Sequence, residues 1–232
     1  SHCNKINMEK IIIKAWNYQF PITANESVSK AVIDGCTSMG PYVEKLEAKL
    51  SELTGYKHII CMTNGSICLL SLMLNLIKKE NGLFFAPNRS WLCTTNSARI
   101  LKHKTCIVDC KENIPVMKID SSTLSSIRKL NPDLVMLANI NGFEIPDKDL
   151  VVDICNELSI PLIFDKAQSF MSGVQKEGIA SFFSMGITKL LGAGQGGFIG
   201  TDDSKLDYDL RLTRLHGSND PFKRLNQEIL GF

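Results

Sequence analysis

The side chains most able to carry out covalent chemistry lie in the glycine-rich segment of residues 183–197. Lys189 stands there between the end of a predicted strand and a run of glycines, whose missing side chains let another molecule approach closely. A desolvated lysine amine forms an imine with a carbonyl compound, and this reaction is one interpretation of the segment. The other interpretation is an ordinary solvated lysine beside a turn.

Three of the glycines have the G-x-G-x-x-G spacing that is typical of dinucleotide sites: Gly192, Gly194 and Gly197. That motif must follow a strand and open a helix. Here the glycines follow a short polar turn and run into an apolar segment that is predicted to be a strand. This context disfavours a dinucleotide site.

A carboxylate is predicted at the end of a buried strand. Asp165 follows the apolar residues 162–164 and is itself followed by Lys166 and Gln168. In open α/β sheets, ligands bind at the carboxyl ends of the strands. A carboxylate at this position pairs with the pyridinium nitrogen of pyridoxal phosphate, although a helix cap or a rim charge explains the same residue.

Two further segments that follow predicted strands offer binding groups. Gly65 and Ser66 join a strand to a helix, where backbone N–H groups bind phosphate, although simple N-capping is equally compatible. Trp91 follows the next strand, and its indole either stacks on a planar ring or packs in the core. In chain order the segments therefore supply groups that bind a phosphate, an aromatic side chain that stacks on a planar ring, a carboxylate that pairs with a ring nitrogen, and a lysine that forms an imine.

The elements that must position these residues alternate between short apolar runs and segments with helical periodicity, which predicts one α/β domain. The predicted strands are His58–Met62, Leu83–Ala86, Lys104–Asp109, Asp133–Ala138, Pro161–Asp165, Ala180–Ser184 and Gly197–Thr201. The predicted helices are Pro41–Leu53, Ser66–Lys79, Ser121–Leu130 and Asp147–Leu158. The last two have the length of crossovers between parallel strands.

Composition excludes several classes of protein. The chain has 232 residues, of which 44% are hydrophobic, so disordered, collagen-like and coiled-coil classes are disfavoured. A net charge of +2 does not indicate binding to nucleic acid or to a membrane surface. The eight cysteines include no C-x-x-C pair, which predicts free thiols in a reducing compartment and a cytoplasmic location. No metal site is predicted.

Four motifs together resemble the DegT/DnrJ/EryC1/StrS family of sugar aminotransferases, which are pyridoxal-phosphate enzymes of the aspartate aminotransferase fold class. They are Gly40-Pro-Tyr-Val-Glu-Lys-Leu-Glu47, Thr63-Asn-Gly-Ser66, Asp165-Lys-Ala-Gln168 and the segment from Ser184 through Lys189 to Gly197. The similarity extends from about Ala15 to Phe232. It implies a mixed, mostly parallel seven-stranded sheet flanked by helices, which is the family's large domain, in residues 15–232, after an N-terminal segment of residues 1–14.

The resemblance implies a role for each candidate residue. Lys189 forms the imine with pyridoxal phosphate and acts as general base, and Asp165 holds the ring nitrogen. The residues implied to contact the rest of the cofactor are Gly65, Ser66 and Ser184 for the phosphate, Trp91 for the ring face and Gln168 for the ring hydroxyl. The implied reaction transfers an amino group, usually from glutamate, to a nucleotide-linked keto sugar. The resemblance also implies that the protein is a homodimer.

Two departures from the family pattern leave alternatives open. Lys166 stands where a small residue is usual, so an extra cation alters the pocket or points away from it. The family's Asn-x-Arg segment and small C-terminal domain are lacking, which favours a large domain alone or a shortened homologue without turnover.

A lysine-based enzyme with different chemistry is a third hypothesis. One family branch carries histidine in place of the lysine and removes a hydroxyl, so Lys189 favours amino transfer.

Three arginines near the end of the chain complete the set of candidate residues: Arg211, Arg214 and Arg224. Their pattern predicts a solvated helix face, and the alternative is a role in binding an anionic substrate.

Overall fold

The computed structural model describes residues 20–173, 175–215 and 217. The predicted N-terminal segment of residues 1–14 and Arg224 lie outside these residues. The helices are α1 (Thr23–Ile33), α2 (Pro41–Thr54), α3 (Gly65–Leu76), α4 (Cys93–Ile100), α5 (Ser121–Leu130), α6 (Lys148–Glu157) and α7 (Ser204–Arg214). The strands are β1 (His58–Met62), β2 (Leu83–Pro87), β3 (Lys104–Val108), β4 (Leu134–Ala138), β5 (Leu162–Asp165), β6 (Ala180–Ser184) and β7 (Gly197–Thr201).

The strands form one sheet in the order β1-β7-β6-β5-β4-β2-β3. Strands β2 to β6 are all parallel to one another, whereas β7 is antiparallel to both of its neighbours, β1 and β6. Every residue of the central strand β4 is buried, as expected for a strand covered by helices on both faces. The predicted mixed, mostly parallel seven-stranded sheet is therefore confirmed.

Alternating side chains of the strands pack on the two faces of the sheet, where the buried apolar residues of the described ranges form three clusters. Phe84 packs on the face covered by α3, α4 and α7, whereas Phe85 packs on the face covered by α5 and α6. Helix α3 is buried on most of its surface because it lies between the sheet and its neighbouring helices α4 and α7. Its position brings its N-terminus to the edge of the sheet where β5 and β6 end.

Local signals explain where the helices begin and end. Pro41 occupies the first turn of α2, and Gly55 ends the helix in a left-handed conformation with φ of 79°. The side chain of Asn64 accepts a hydrogen bond from the Ile67 N–H and so caps α3. Asp120 caps α5 in the same way. The predicted helices at these positions are confirmed.

The prediction that Arg211 and Arg214 form a solvated helix face is wrong. Both guanidinium groups pair with the carboxylate of Glu47 in α2, at 3.0 and 2.6 Å. They also donate to the backbone oxygens of Ile59 and Cys61. Because β1 is an edge strand, these carbonyl groups lie outside the sheet ladder, and the arginines of α7 satisfy them. The two arginines therefore join α2, β1 and α7.

The cysteines of the described residues are free thiols, and each is buried or half-buried, as predicted. Within the same residues, no group of three or more His, Cys, Asp or Glu side chains is arranged to hold a metal ion. None of the helices in the described ranges has the length and apolar character needed to cross a membrane.

Candidate active site

Four of the predicted site residues line one cavity of about 110 Å³ at the carboxyl edge of the sheet: Trp91, Asp165, Gln168 and Lys189. They come from segments that follow β2, β5 and β6. Parallel pairing between β4, β5 and β6 brings the ends of these strands to the same edge. The topology therefore assembles groups that are almost 100 residues apart in the chain.

Asp165 is the buried carboxylate of this cavity. It is only 6% exposed, and its Oδ1 atom accepts a hydrogen bond from the Ala167 N–H at 2.9 Å. Burial raises the pKa of Asp165 to about 6, against the opposing effects of that hydrogen bond and of the Lys189 charge. A carboxylate held in this way gains stability from a cation that enters the cavity.

Lys189 and Trp91 face each other across the cavity. The Lys189 Nζ atom lies 5.9 Å from the centroid of the Trp91 ring. Trp91 is 68% exposed, so the alternative that its indole packs in the core is wrong. A flat aromatic surface therefore lies beside an amine, at the mouth of a cavity whose interior holds Asp165.

The predicted phosphate residues adjoin the cavity at the N-terminus of α3. A Cβ atom added to Gly65 would lie 3.1 Å from the Ser184 Cβ atom, so α3 and β6 meet closely here. Burial raises the pKa of the Cys93 thiol, and the nearby Ser66 hydroxyl and the charges of Asp165 and Lys189 also act on this pKa. Cys93 therefore lies between the predicted phosphate-binding residues and the cavity. Gly65, Ser66 and Ser184 do not themselves line the cavity.

The glycine-rich segment has a packing role that explains its composition. Gly196 forms a bridge with Asn64, and a Cβ atom on Gly197 would lie 2.6 Å from the Asn64 carbonyl carbon. The two backbones can approach so closely only because Gly197 has no side chain. The segment continues into β7, as predicted, and so does not open a helix.

Gln168 is held by the turn that follows β4. Its Oε1 atom accepts a hydrogen bond from the Asn141 N–H at 2.7 Å. The same turn begins at Asn139, whose N–H donates to the backbone oxygen of Asp165. The two strand ends that flank the cavity are thus tied together by backbone hydrogen bonds.

Lys166 points away from the cavity, which resolves the two alternatives for this cation. Its side chain is fully buried, and its Nζ atom lies 2.5 Å from Glu177 Oε2 and 3.3 Å from Asn139 Oδ1. Burial lowers the pKa of Lys166, whereas the hydrogen bond and charge of Glu177 oppose that effect. Lys166 therefore supports the wall of the site from behind and adds no cation to it.

Three residues at the site were not among the predicted ones: Arg89 and Asn139 line the cavity, and Cys93 lies close enough for the charges of Asp165 and Lys189 to act on its pKa. Asn139 directly follows β4, so the rule that polar residues at strand ends form sites would have found it. Arg89 and Cys93 flank Trp91, and their positions depend on how the segment between β2 and α4 folds. No motif in the sequence specifies that segment.

A second cavity of about 570 Å³ adjoins the first and shares Gln168 and Lys189 with it. Its other lining side chains include Asn141, Ser172 and Thr188. Lys189 is thus accessible both from the space next to Asp165 and from a larger polar space.

Comparison with known proteins identifies the relatives of this chain. The model of the DegT/DnrJ/EryC1/StrS aminotransferase family matches residues 22–232. The GDP-perosamine synthase of Caulobacter vibrioides is 24% identical over 202 residues, which cover 84% of this chain and 53% of that protein. The spore coat polysaccharide biosynthesis protein SpsC of Bacillus subtilis is 25% identical over 211 residues, which cover 86% and 53%. The chain spans about half the length of the curated relatives it matches.

A solved structure supports the fold. The E. coli GDP-4-keto-6-deoxy-D-mannose-3-dehydratase, solved with bound hydrated pyridoxal phosphate, superposes with a TM-score of 0.78 at 19% identity. The match covers 92% of this chain and 57% of that one. At this level of identity the likeness establishes the fold and not the reaction.

Proposed function

Because the chain belongs to the DegT/DnrJ/EryC1/StrS aminotransferase family, we propose that it binds pyridoxal phosphate and transfers an amino group to a nucleotide-linked keto sugar. One observation carries the proposal: the buried carboxylate of Asp165 and the amine of Lys189 line the same small cavity. A carboxylate buried with one backbone hydrogen bond is unfavourable by itself and favourable next to a cationic ring nitrogen.

The residues around the cavity fit the chemical groups of the cofactor. Asp165 would hold the ring nitrogen, Lys189 would bond to the aldehyde carbon, and Trp91 would cover one ring face. The α3 N-terminus offers backbone N–H groups for a phosphate, because Asn64 caps only the Ile67 N–H. Gly65 lies in close contact with Ser184, which brings the Ser184 hydroxyl near those N–H groups, and Ser66 follows Gly65 in the first turn of α3. Gln168 would lie near the ring hydroxyl.

Each residue then has a defined task in the reaction. When bound, pyridoxal phosphate supplies an electron sink for negative charge that develops on the carbon attached to the amino nitrogen. Asp165, when ionised, keeps a proton on the ring nitrogen and so strengthens that sink. Lys189 accepts and returns a proton at its Nζ atom. Trp91 shields the ring face from water.

We propose glutamate as the amino donor and a nucleotide-linked keto sugar as the acceptor. The names of two relatives, GDP-perosamine synthase and UDP-2-acetamido-2-deoxy-3-oxo-D-glucuronate aminotransferase, support this substrate class. The lysine at position 189 favours amino transfer over the dehydration named for the E. coli structure. The alternative of a shortened homologue without turnover gains no support from the relatives, whose names describe enzymes and a biosynthesis protein.

We also propose that the chain forms a homodimer through the surface around the cavity mouth. Trp91, Leu92, Ile187 and Leu190 are apolar side chains that are 56–74% exposed. They lie on the segments that carry the candidate site. Exposed apolar side chains that gather in one region are typical of a protein interface. The free thiols are compatible with the reducing conditions of the cytoplasm, which we propose as the location.

Borohydride trapping tests the cofactor assignment. Adding pyridoxal phosphate to the full chain is expected to produce a visible absorption band, and reduction followed by peptide mapping is expected to locate the adduct on Lys189. The Lys189→Gln variant is expected to lose both signals. The buried Lys166 serves as an internal control and is expected to remain unmodified. An adduct elsewhere, or none, contradicts the assignment.

Turnover tests the reaction. The chain loaded with cofactor is expected to convert a nucleotide-linked keto sugar to the amino sugar with glutamate as donor, and to form 2-oxoglutarate in equal amount. Lys189→Gln is expected to be inactive. Formation of an adduct on Lys189 without any turnover would favour the homologue that binds the cofactor and does not react.

A further inference from the structure

The wall of the site next to Gln168 is a short turn, residues 139–142, that directly follows β4. Asn141 and Gly142 both have positive φ angles in this turn, of 54° and 76°. Asparagine and glycine tolerate this conformation, but neither residue type is confined to it. The position of the turn therefore depends on the groups that contact it from outside.

Asn139 is the residue through which the turn is held from behind. It is buried, and its Oδ1 atom accepts a hydrogen bond from Lys166 Nζ at 3.3 Å. Its Nδ2 atom donates to the backbone oxygen of Phe143 at 3.0 Å. Because a lysine ammonium has donors and no acceptor, the amide must direct its oxygen toward Lys166. Lys166 thereby directs the amide N–H group to Phe143, which directly follows the turn.

Lys166 is itself fixed by burial and by its partners. Its side chain is fully buried, and its Nζ atom lies 2.5 Å from Glu177 Oε2. The same Nζ atom lies 5.5 Å from the centroid of the Phe164 ring. A buried ammonium cannot leave its carboxylate without a large loss of charge compensation. Lys166 therefore gives the turn a rigid support.

The front of the turn determines which group Gln168 offers to a bound molecule. The Asn141 N–H donates to Gln168 Oε1 at 2.7 Å. An amide whose oxygen is engaged in this way has its NH2 group left as a donor. Gln168 lines the small cavity that contains Asp165. The position of the turn therefore decides whether Gln168 presents an N–H donor or a carbonyl oxygen to that cavity.

We infer that Lys166 is a positioning residue: acting through Asn139 and the turn, it orients the Gln168 amide so that its N–H group faces the ring hydroxyl of the cofactor. The inference rests on the proposed function, which places pyridoxal phosphate in the cavity. A donor next to the ring oxygen favours the ionised form of that oxygen. The pH dependence of the visible band of the bound cofactor reports this contact.

Lys148 provides a matched control for the charge of Lys166. Its ammonium pairs with the same Glu177 carboxylate. Among the described residues, its hydrogen bonds go to Glu144 and Glu177, whereas Lys166 also reaches Asn139. The two lysines thus share a charge and a partner and differ in their contact with the turn. An effect that depends on the turn must distinguish them.

Hydrogen exchange of the Asn141 amide tests the inference on the full chain without cofactor. Lys166→Met is expected to raise the exchange rate of this amide by about tenfold or more, because the turn loses its support. Lys148→Met is expected to leave the rate within about twofold. The Lys166→Met/Glu177→Gln variant, which is expected to regain stability, is expected to keep the fast exchange. NMR measures the rates, and equal rates in Lys166→Met and Lys148→Met would overturn the inference.

Titration with pyridoxal phosphate tests the effect on the site. Lys166→Met, alone or with Glu177→Gln, is expected to weaken cofactor affinity about tenfold. The pH midpoint of the visible band is expected to rise, because the ring oxygen loses a donor and the proton that it shares with the imine nitrogen is held to higher pH. Lys148→Met is expected to match the parent chain. In a Gln168→Met background, Lys166→Met is expected to leave the midpoint unchanged, since both changes remove one contact.

The failure of this inference can be distinguished from failure of the proposed function. A parent chain that forms no adduct on Lys189 would contradict the cofactor assignment, and the exchange rate of Asn141 would still decide whether Lys166 holds the turn. An adduct with the same pH midpoint in the parent and in Lys166→Met would overturn the inference and leave the cofactor assignment intact. Recovery of slow exchange and of affinity in the double variant would overturn it as well, because both effects would then follow stability.

Discussion

At the scale of single residues, the burial of Asp165 lowers the stability of the chain without cofactor, and its proposed role explains this cost. Its carboxylate is buried with one backbone hydrogen bond, and the pKa rises from an ordinary value near 3.8 to about 6. An acid with a raised pKa in the folded state stabilises the fold only while it is protonated. This contribution is fully present below about pH 4 and is lost as the pH rises through 6. At neutral pH the ionised carboxylate therefore destabilises the chain without its cofactor, by about 3 kcal/mol.

Asp165→Asn tests this conclusion because asparagine keeps the acceptor for the Ala167 N–H and carries no charge. Without cofactor, the variant is expected to be more stable than the parent at pH 7.5, by up to about 3 kcal/mol, and similar to it near pH 4. Its affinity for pyridoxal phosphate is expected to fall. Urea denaturation at several pH values and a cofactor titration measure both effects. Parallel pH profiles for parent and variant would contradict the raised pKa.

Lys166 is the second residue whose role depends on burial. Glu177 receives ion pairs from both Lys166 and Lys148, and Lys166 also donates to Asn139, which begins the turn that holds Gln168. Lys166→Met is expected to destabilise the chain by about 2 kcal/mol, because Glu177 keeps only one of its two cations. The Lys166→Met/Glu177→Gln double variant is expected to recover much of that loss.

Lys148→Met is the matched control for this prediction. Its ammonium pairs with the same carboxylate but is 20% exposed, so the expected loss is below about 1 kcal/mol. Urea denaturation of the three variants at pH 7.5 gives the comparison. A Lys148→Met variant that is less stable than Lys166→Met would show that burial does not determine the difference.

At the scale of elements, the glycine-rich segment positions the N-terminus of α3. Gly197→Ala would place a Cβ atom 2.6 Å from Asn64 C and 2.7 Å from Gly65 N, and both are backbone atoms that cannot rotate away. The variant is expected to lose about 2 kcal/mol of stability and to bind pyridoxal phosphate more weakly, because the helix N-terminus must shift. Urea denaturation and a cofactor titration measure the two effects.

Gly186→Ala is the control, since its Cβ atom would meet the nearest side-chain atom, Ser184 Oγ, at an ordinary 3.6 Å. The control is expected to retain both stability and affinity. If both variants lose cofactor affinity equally, the close approach of β7 to α3 does not position the phosphate residues.

Sequence analysis predicted the helices and strands whose formation depends on local patterns, and it missed those that depend on distant contacts. The buried strands and α2, α3, α5 and α6 were predicted, because long apolar stripes and caps determine them locally. Helix α1 has no buried residue, and α4 is only eight residues long and rich in Thr, Ser and Asn. Neither has a strong local signal. The ion pairs of Arg211 and Arg214 were missed because Glu47 lies more than 160 residues away in the chain.

At the scale of the whole molecule, the exposed apolar residues around the cavity mouth allow the proposed homodimer to be tested. Leu92 is 74% exposed and follows β2 at the carboxyl edge of the sheet, next to Trp91. Leu130 is 44% exposed and ends α5 just before β4, at the opposite edge. The two leucines differ in their distance from the candidate site and allow a matched comparison.

Leu92→Asp is expected to raise the dissociation constant of the dimer by at least tenfold, because an aspartate buried in an apolar interface loses its hydration. Leu130→Asp makes the same chemical change away from the site and is expected to leave dimerisation unchanged. Sedimentation velocity over a range of protein concentrations measures both. A chain that is monomeric at every concentration would contradict the homodimer, and equal dissociation constants for the two variants would place the contact away from the cavity mouth.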